Sequence, residues 1–476
     1  MIFRFLCLLV NVLLMDSLPF MKNYDVIAIG TGSAMNIVST LVETQPNIKV
    51  AVVEKDDVGG ICLTRGCIPS KMLLYPAELL RKIMDAKKFG IDVEIKGIDF
   101  KGIMERMRKN IRHEIEMIEH GLKNSPNIDL YQVQGEFIDD YTMKVGNEII
   151  KGDKILLCSG SRPMVPPIKG LKEAGYITSD ELLLLEELPP RIVIIGGGYI
   201  AMEYGFFLAM MGSDVTVIEM LPRIVANEEP EISELLQREM EKIMKIYTGY
   251  TVKEVKKENG AKKVIASGEK GKIEVEADEV LVAAGRASNS DILKPEKTGV
   301  KTDEHGWIIV DEYLQTTKPN IWACGDATGK HMFKHAANYE SQIVYYNAFA
   351  HRRIKADYHA VPHAIFTYPE VAGVGMREEE AKKKHDILVG YYLYENTAKG
   401  EAMMAKDYFV KVILEKQTYR ILGAHIIGPE ASILIQEIIN LMYTDSQSAM
   451  PVYRGMHIHP ALSEVVERAF YNLEER

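Results

Sequence analysis

Two cysteines five positions apart, Cys62 and Cys67, are the residues of this 476-residue chain that most directly indicate chemistry. Paired glycines precede Cys62, and Ile-Pro-Ser-Lys follows Cys67 and ends at Lys71. Apolar, helix-forming sequence continues to position 88, so we expect the pair at the start of a helix, where the positive end of the dipole lowers a thiol pKa. The spacing favours a redox-active dithiol; two unrelated buried cysteines are the alternative for the pair taken alone.

A glycine-rich turn upstream of the cysteines predicts a first dinucleotide-binding unit. An apolar strand over 26–30 enters the turn at Gly30 and Gly32, a helix follows, and a second strand ends at Glu54. In such a unit the helix N-terminus holds a pyrophosphate and the terminal carboxylate accepts ribose hydroxyls. The third motif position is Met35, where glycine is usual, so a plain glycine turn in another α/β unit is the alternative for this motif by itself.

The same layout recurs further along the chain. Gly196, Gly198 and Ala201 match G-x-G-x-x-A after an apolar strand, and the next strand ends at Glu219. Two such units imply two dinucleotides. Glu219 would bind a free 2′-hydroxyl and repel a 2′-phosphate, which favours NAD(H) over NADP(H), although the nearby Arg223 weakens this prediction.

Three more apolar runs are predicted to be strands that end in glycine-containing turns. The first leads to Gly160, the second to Gly285 and the third to Asp326. The Asp326 carboxylate could bond sugar-like hydroxyls of a cofactor. Each segment, found singly, would be a plain strand and turn.

Composition predicts a multidomain globular protein in a reducing compartment. A chain of this length exceeds one hydrophobic core, so two to four domains are expected. The formal net charge of -10 argues against nucleic acid or anionic membrane as a partner. No cysteine pair has zinc spacing, so no metal is predicted. The few cysteines fit the cytoplasm rather than a disulfide framework; they are Cys7, Cys62, Cys67, Cys158 and Cys324.

Both ends of the chain carry further signals. Residues 1–20 resemble the apolar part of a signal peptide, but a buried strand begins at once, so a true start at Met21 is predicted and 1–20 is a doubtful extension. Beyond 361 the pattern changes to an α+β module without a nucleotide loop. It ends in a turn with His457 and His459, followed by a helix that includes Glu464.

Six ordered motifs resemble the class I pyridine nucleotide-disulfide oxidoreductases. They are Gly-Gly-x-Cys-x4-Cys-x-Pro-Ser-Lys, Gly-Gly-Gly-Tyr-Ile-Ala-x-Glu, Gly-Arg-x-x-Asn, Cys-Gly-Asp-Ala, Phe-Thr-x-Pro-Glu and His-Pro-x-Leu-Ser-Glu, and they span residues 21–476. The resemblance implies an α/β protein of the glutathione reductase-like kind, with two Rossmann-like domains and an α+β dimerisation domain. The implied FAD-binding domain is 21–168 with 288–360, the NAD-binding domain 169–287 and the interface domain 361–476.

The resemblance also implies a role for each motif residue. Cys67 would be the flavin-proximal thiol and Cys62 the interchange thiol that meets the substrate. Lys71 and Glu203 would form an ion pair beside the flavin, and His459, assisted by Glu464, would reach the dithiol of the other subunit of a homodimer. The implied cofactor-binding residues are Gly30, Gly32, Glu54, Lys71, Gly160 and Asp326 for FAD, and Gly196, Gly198, Ala201, Glu219 and Gly285 for NAD(H).

The substrate is the least determined feature of the sequence. Lipoamide, free or carrier-bound, is the commonest dithiol for this domain set, which favours a dihydrolipoamide dehydrogenase. Local features near Gly30 and His459 resemble mycothione reductases, so reduction of another small disulfide is the second interpretation. A flavoprotein without disulfide turnover, such as an NADH oxidase or diaphorase, is the third, and the intact cysteine pair counts against it.

Overall fold

The structure is a computed structural model that describes residues 21–476, and its elements are numbered here in chain order. The predicted extension 1–20, with Cys7, lies outside the described residues. The strands are β1 Met21–Ile29, β2 Val50–Val53, β3 Ile128–Tyr131, β4 Gly135–Asp139, β5 Thr142–Val145, β6 Glu148–Leu157, β7 Ser161–Pro163, β8 Arg191–Ile195, β9 Asp214–Glu219, β10 Lys245–Thr248, β11 Tyr250–Glu258, β12 Ala261–Gly268, β13 Gly271–Ala277, β14 Glu279–Val282, β15 Arg286–Ser288, β16 Ile321–Ala323, β17 Pro362–Ile365, β18 Glu370–Gly375, β19 Ile387–Leu393, β20 Phe409–Glu415, β21 Ile421–Gly428 and β22 Leu473–Glu475.

The α-helices connect these strands and cover their faces. They are α1 Ala34–Thr44, α2 Gly60–Thr64, α3 Cys67–Asp85, α4 Phe100–Lys123, α5 Leu171–Ala174, α6 Ser179–Leu182, α7 Tyr199–Met211, α8 Pro230–Met240, α9 Ser290–Leu293, α10 Lys334–Ala348, α11 Glu378–Lys382, α12 Ala398–Ala402, α13 Ala431–Met442, α14 Met450–Arg454 and α15 Ser463–Tyr471. Short 3-10 helices are Ala86–Phe89, Pro295–Thr298, Gly325–Thr328 and Tyr394–Asn396.

The chain divides into two compact units. The first holds the described residues up to Thr64 together with Arg112–Arg162 and Ala287–Ala356. The second holds Arg65–Ile111, Pro163–Arg286 and Asp357–Arg476. The domain boundaries drawn from the family resemblance stay a prediction.

A largely parallel sheet forms the centre of the first unit. Its strand order is β3-β2-β1-β6-β5-β4, and β16 pairs with β6. Alternate residues of β1 enter two different core clusters, with Ile27 on one face and Val26 and Ala28 on the other. Burial on both faces explains why this strand is a continuous apolar run in the sequence.

The second unit contains another parallel sheet, with the order β10-β9-β8-β14. Helix α7 follows β8 and is buried on nearly every side, and α3 packs along it. This burial explains why the α7 sequence is apolar throughout instead of showing one polar face. The unit thus has the strand, turn and helix order that the sequence predicts.

The C-terminal part of the second unit is an antiparallel sheet. Its six strands are ordered β17-β18-β21-β20-β19-β22, and α13 and α15 pack on it over a core that includes Tyr394 and Phe470. Two parallel nucleotide-type sheets with an antiparallel C-terminal module confirm the predicted fold class. No helix within 21–476 has both the length and the apolar character needed to cross a bilayer.

Candidate functional site

The first glycine turn is closely packed against its neighbours. Gly30 has φ +91°, and a Cβ there would lie 2.2 Å from the carbonyl oxygen of Cys158. A Cβ on Gly60 would lie 2.5 Å from the Cα of Gly32. Only glycine allows these approaches, because a side chain at either position would collide with main chain. Met35, at the third motif position, packs against an apolar core cluster of the unit.

Glu54 is held at this turn by a residue that sequence reasoning missed. Thr31 donates its main-chain N–H at 3.0 Å and its hydroxyl at 2.8 Å to Glu54 Oε2. The Thr31 hydroxyl in turn accepts the N–H of Gly59 at 2.9 Å. The position of Thr31 between the two motif glycines was the available signal. These bonds fix a carboxylate at the end of β2, where a ribose acceptor is predicted.

The N-terminus of α1 is suited to a phosphate group. Its first turn carries no acidic side chain, and Lys334 Nζ donates to Ser33 Oγ at 3.0 Å beside it. Unpaired N–H groups of a helix start and a nearby cation both favour an anion. Together with the glycine turn and Glu54, this edge of the sheet fits the adenosine diphosphate half of FAD.

The turns after β6 and β16 are joined by hydrogen bonds. The Ser161 hydroxyl donates to Asp326 at 2.6 Å, and the Asn289 amide donates to the Ser159 carbonyl oxygen at 2.9 Å. Gly325 N–H donates to the fully buried Glu340 at 2.6 Å. The structure therefore brings the Asp326 turn beside the turn that contains Gly160, at the same sheet edge as Gly30. Ser161 and Glu340 were missed by sequence reasoning.

The second glycine turn repeats this construction. Gly196 has φ +111°, and a Cβ there would lie 2.4 Å from the carbonyl oxygen of Ala283. A Cβ on Gly198 would meet open space. Glu219 accepts the N–H of Gly197 at 2.5 Å and that of Leu221 at 2.6 Å. An open turn at the start of α7 with a fixed carboxylate beside it fits a second dinucleotide.

The remaining two residues predicted for this cofactor lie in the same unit. Ala201 is fully buried in the first turn of α7. Gly285 has φ +117° and follows β14, whose residues pair in parallel with β8.

Lys71 and Glu203 form the predicted contact. The Lys71 ammonium lies 2.8 and 3.0 Å from the two Glu203 oxygens, and the Glu203 side chain is 10% exposed. Phe366 completes the arrangement: its N–H donates to Glu203 at 3.0 Å, and its ring centroid lies 4.3 Å from Lys71 Nζ. The Phe-Thr-x-Pro-Glu motif marked this segment, but the contact itself was not predicted.

The cysteines lie in consecutive helices. Cys62 is half-buried within α2, and Cys67 is exposed as the first residue of α3. The first turn of α3 has no acidic side chain, so no carboxylate of that turn offsets the positive helix end at Cys67. Arg65, between the two cysteines in the chain, lies 3.7 Å from Asp180.

His459 and Glu464 form a second predicted contact. His459 Nδ1 lies 2.9 Å from Glu464 Oε1, and the N–H of Ala461 donates to Oε2 at 3.1 Å. The hydrogen bond with His459 lowers the pKa of Glu464 below its ordinary value. The His459 side chain is 71% exposed, whereas that of Glu464 is 9% exposed. Glu464 engages Nδ1, so Nε2 is the ring nitrogen on the side away from this contact.

His457 has different surroundings. It is 10% exposed and contacts Glu437 at 2.9 Å, with Glu467 at 3.6 Å. The His457 ring is therefore enclosed beside two carboxylates, unlike the exposed ring of His459.

A polar contact near the second glycine turn had no signal in the sequence. Tyr199, the first residue of α7, donates its hydroxyl to Glu228 at 2.6 Å, and Glu228 contacts His363 at 2.8 Å. The Tyr199 and His363 rings stack with centroids 5.9 Å apart. Burial raises the pKa of Glu228, but the hydrogen bond and charge of His363, together with Tyr199 and the charge of His425, leave it below its ordinary value.

No group of three or more His, Cys, Asp or Glu residues within 21–476 could hold a metal ion.

Two family models match the chain. Residues 24–342 match pyridine nucleotide-disulphide oxidoreductase, and residues 361–470 match the dimerisation domain of the same enzymes. A mycothione reductase of Mycobacterium tuberculosis (strain H37Rv) is 34% identical over 466 residues, which cover 95% of this chain and 100% of that protein.

Other relatives carry a different activity. A dihydrolipoyl dehydrogenase of Synechocystis sp. is 33% identical over 94% of this chain and 98% of its own length. A dihydrolipoyl dehydrogenase of Chlamydia trachomatis is 35% identical over 93% of this chain and 95% of its own length. Among solved structures, the HOCl-induced flavoprotein disulfide reductase RclA from Escherichia coli matches with a TM-score of 0.84 and 28% identity, covering 94% of this chain and 99% of that one.

Proposed function

Since this chain belongs to the pyridine nucleotide-disulphide oxidoreductases, a family that binds FAD and NAD(P)H, we propose that it moves electrons between NAD(H) and a dithiol through Cys62 and Cys67. Dihydrolipoamide is the proposed dithiol, which makes the chain a dihydrolipoamide dehydrogenase. The observation that supports disulfide turnover is the His459–Glu464 contact, in which Glu464 orients an imidazole that stays exposed. An enzyme that only oxidised NADH would not need a base there.

The proposed bond exchange at sulfur takes place between the two cysteines and the substrate thiols. A substrate thiolate attacks Cys62 of the oxidised pair, forms a mixed disulfide and releases Cys67 as a thiolate. The second thiolate of the substrate then attacks the substrate sulfur of the mixed disulfide. This forms the substrate disulfide and releases Cys62 as a thiolate. Two electrons pass from the substrate to the cysteine pair, and bound FAD supplies the means of passing them on to the nicotinamide.

His459 is the proposed base for the substrate thiols. Imidazole titrates near neutral pH, so it can take a thiol proton at Nε2 and return it in the reverse direction. Glu464 fixes the ring through Nδ1 and stabilises its protonated form. The high exposure of His459, within the segment that matches a dimerisation domain, supports its serving the cysteine pair of a second copy in a homodimer.

Lys71 and Glu203 are proposed to act as a pair next to the flavin. The ammonium supplies positive charge, and the Glu203 carboxylate and the Phe366 ring hold its position. Glu219, fixed by two main-chain N–H groups, is proposed to bind the 2′-hydroxyl of NAD(H). The few cysteines of the chain support a reducing compartment, and we place the protein in the cytoplasm.

Reduction of another small disulfide is the second candidate. The relative named mycothione reductase is as similar to this chain as the dihydrolipoyl dehydrogenases are, which keeps this candidate open. An oxidase or diaphorase without disulfide turnover is the third candidate, and it requires that loss of Cys62 leave activity intact.

A steady-state comparison tests the proposal. Purified enzyme is assayed with dihydrolipoamide and NAD⁺, and with mycothiol disulfide and glutathione disulfide against NADH and NADPH. We expect the highest kcat/KM for dihydrolipoamide with NAD⁺ and its loss in Cys62→Ser. Higher kcat/KM for another disulfide would assign the second candidate, and an NADPH preference of roughly tenfold would contradict the role of Glu219.

A further inference from the structure

Two other cysteines meet at the cofactor-binding edge of the first unit. β6 and β16 are parallel neighbours with Leu157 opposite Ala323, and Cys158 and Cys324 are the next residues of these two strands. Their Sγ atoms are 3.3 Å apart. Cys324 is part of an apolar core cluster of the first unit, the half-buried Cys158 packs against that cluster, and the two sulfurs are in contact.

The backbone geometry allows a bond between them. Neighbouring strands lie about 4.8 Å apart, and disulfides join residues whose Cα atoms are about 4.4 to 6.8 Å apart. Moving two sulfurs from 3.3 Å to a bond of about 2 Å needs a small side-chain rotation and no strand movement.

The two thiols are not equivalent. Cys324 is 2% exposed, whereas Cys158 is partly accessible. The hydrogen bond with Cys158 and burial raise the pKa of Cys324 well above its ordinary value. Cys158 is therefore the sulfur that a small reagent reaches first, and Cys324 is the neighbour that resolves the product.

The pair lies directly beneath residues predicted to hold FAD. The Cys158 carbonyl oxygen is the atom that a Cβ on Gly30 would strike. Two residues after each cysteine come Gly160 and Asp326, and the Ser161 hydroxyl joins their turns through its 2.6 Å bond to Asp326. A covalent link between the cysteines would close a loop of 166 residues at this edge.

We propose that Cys158 and Cys324 are a second redox couple, distinct from Cys62 and Cys67, which a hydroperoxide closes and which then fastens the FAD-binding edge. The Cys158 thiolate attacks a peroxide oxygen, the O–O bond breaks, and Cys158 becomes a sulfenic acid as hydroxide leaves. The Cys324 sulfur then attacks Cys158, the S–O bond breaks, and water leaves with the Cys324 proton. Two electrons pass from the thiols to the peroxide, and an added dithiol returns them.

The experiment uses FAD-loaded full-length Cys62→Ser/Cys67→Ser protein, in which the main pair cannot contribute. Reduced protein is treated with hydrogen peroxide, denatured, alkylated and mapped by peptide mass spectrometry. The matched controls carry Cys158→Ser or Cys324→Ala in addition. Release of flavin on warming is followed by fluorescence in every sample.

The expected result is a peptide linked through Cys158 and Cys324 that dithiothreitol removes and that both controls lack. We also expect flavin to leave the linked protein more slowly by roughly threefold or more, since a cross-link restrains opening of the loop it closes. The proposal is overturned if both thiols remain open to alkylation after peroxide, or if the link forms and flavin leaves at an unchanged rate. Because the main pair is absent from this protein, neither result bears on the proposed dithiol turnover.

Discussion

The hydrogen bond between Glu464 and His459 determines which imidazole nitrogen is available for the proposed proton transfer. The carboxylate engages Nδ1 at 2.9 Å and receives the N–H of Ala461, so it is anchored on the main chain as well. The imidazole is thereby held in one orientation while most of its surface stays exposed. A ring held this way can accept a proton at Nε2 without first paying the entropy of being ordered.

Replacing His459 with Ala should lower turnover of the dithiol by about 10²- to 10⁴-fold, because general base catalysis is lost. NADH-driven bleaching of the flavin absorbance should remain, since it does not need a substrate thiol proton. Steady-state assays and stopped-flow absorbance measure the two properties. His457→Ala, whose side chain contacts Glu437 instead, is the matched control and should keep most activity; an equal loss in both variants would reject the assignment.

Lys71→Met should destabilise the protein because it leaves the Glu203 carboxylate with the Phe366 N–H as a remaining partner. Lys71 is partly exposed, so we expect a loss of about 1–2 kcal/mol in the free energy of unfolding rather than the larger value of a fully buried pair. Chemical denaturation of flavin-loaded protein measures it. Adding Glu203→Gln to Lys71→Met should recover part of the lost free energy of unfolding. If the double variant loses as much as the two single variants together, Lys71 and Glu203 are not coupled.

At the scale of elements, β17 and the residue after it contact α7 at two positions that are one helical turn apart. Its residue His363 contacts Glu228, which binds the hydroxyl of Tyr199. Just after the strand, Phe366 N–H binds Glu203, four residues beyond Tyr199. The strand therefore orients two α7 residues that face the same way, since positions i and i+4 share a helix face.

Glu228→Gln should weaken this connection. The folded-state pKa of Glu228 lies below its unfolded value, so its contribution to stability is present above the unfolded pKa and is lost as pH falls through the folded one. We expect the variant to lose about 1–3 kcal/mol at pH 7 and to show a flatter decline of stability below about pH 5. The exposed Glu234→Gln on α8 is the control; a variant as acid-sensitive as the parent would refute the role of Glu228.

The elements could be predicted because their signals are local. Apolar runs ending in glycine predicted β1, β8 and their turns, and the strand, turn and helix layout predicted α1 and α7 after them. The contacts between distant segments could not be predicted in this way. Phe366 with Glu203, and His363 with Glu228, join residues more than 130 positions apart, and no periodicity specifies such pairs.

Site residues also divide into those that a local motif predicts and those that depend on contacts between distant segments. Residues in the glycine turns were predicted because the turn requires their type at that spacing, and Lys71 and Glu203 were predicted as a pair from the family resemblance. Thr31, Ser161 and Glu340 are ordinary residue types that gain their role from what they touch. The Cys158–Cys324 contact depends on the register of two strands, which only the fold determines.

At the scale of the whole molecule, the chain is organised as two compact units. Each has a parallel sheet with a glycine turn at the carboxyl ends of its strands. The family assignment fixes the broad chemistry, because a match over 24–342 and a second over 361–470 together span most of the chain. Relatives with two different names at similar identity leave the dithiol to be assigned by assay.

The central proposal is that His459 of one subunit serves the cysteine pair of the other. Co-expression of Cys62→Ser and His459→Ala chains with different tags, followed by two affinity steps, isolates the mixed dimer. One of its two sites then has both an intact cysteine pair and an intact histidine, so we predict about half of the wild-type turnover with dihydrolipoamide, while each parent variant is nearly inactive. A mixed dimer no more active than its parents would contradict the account.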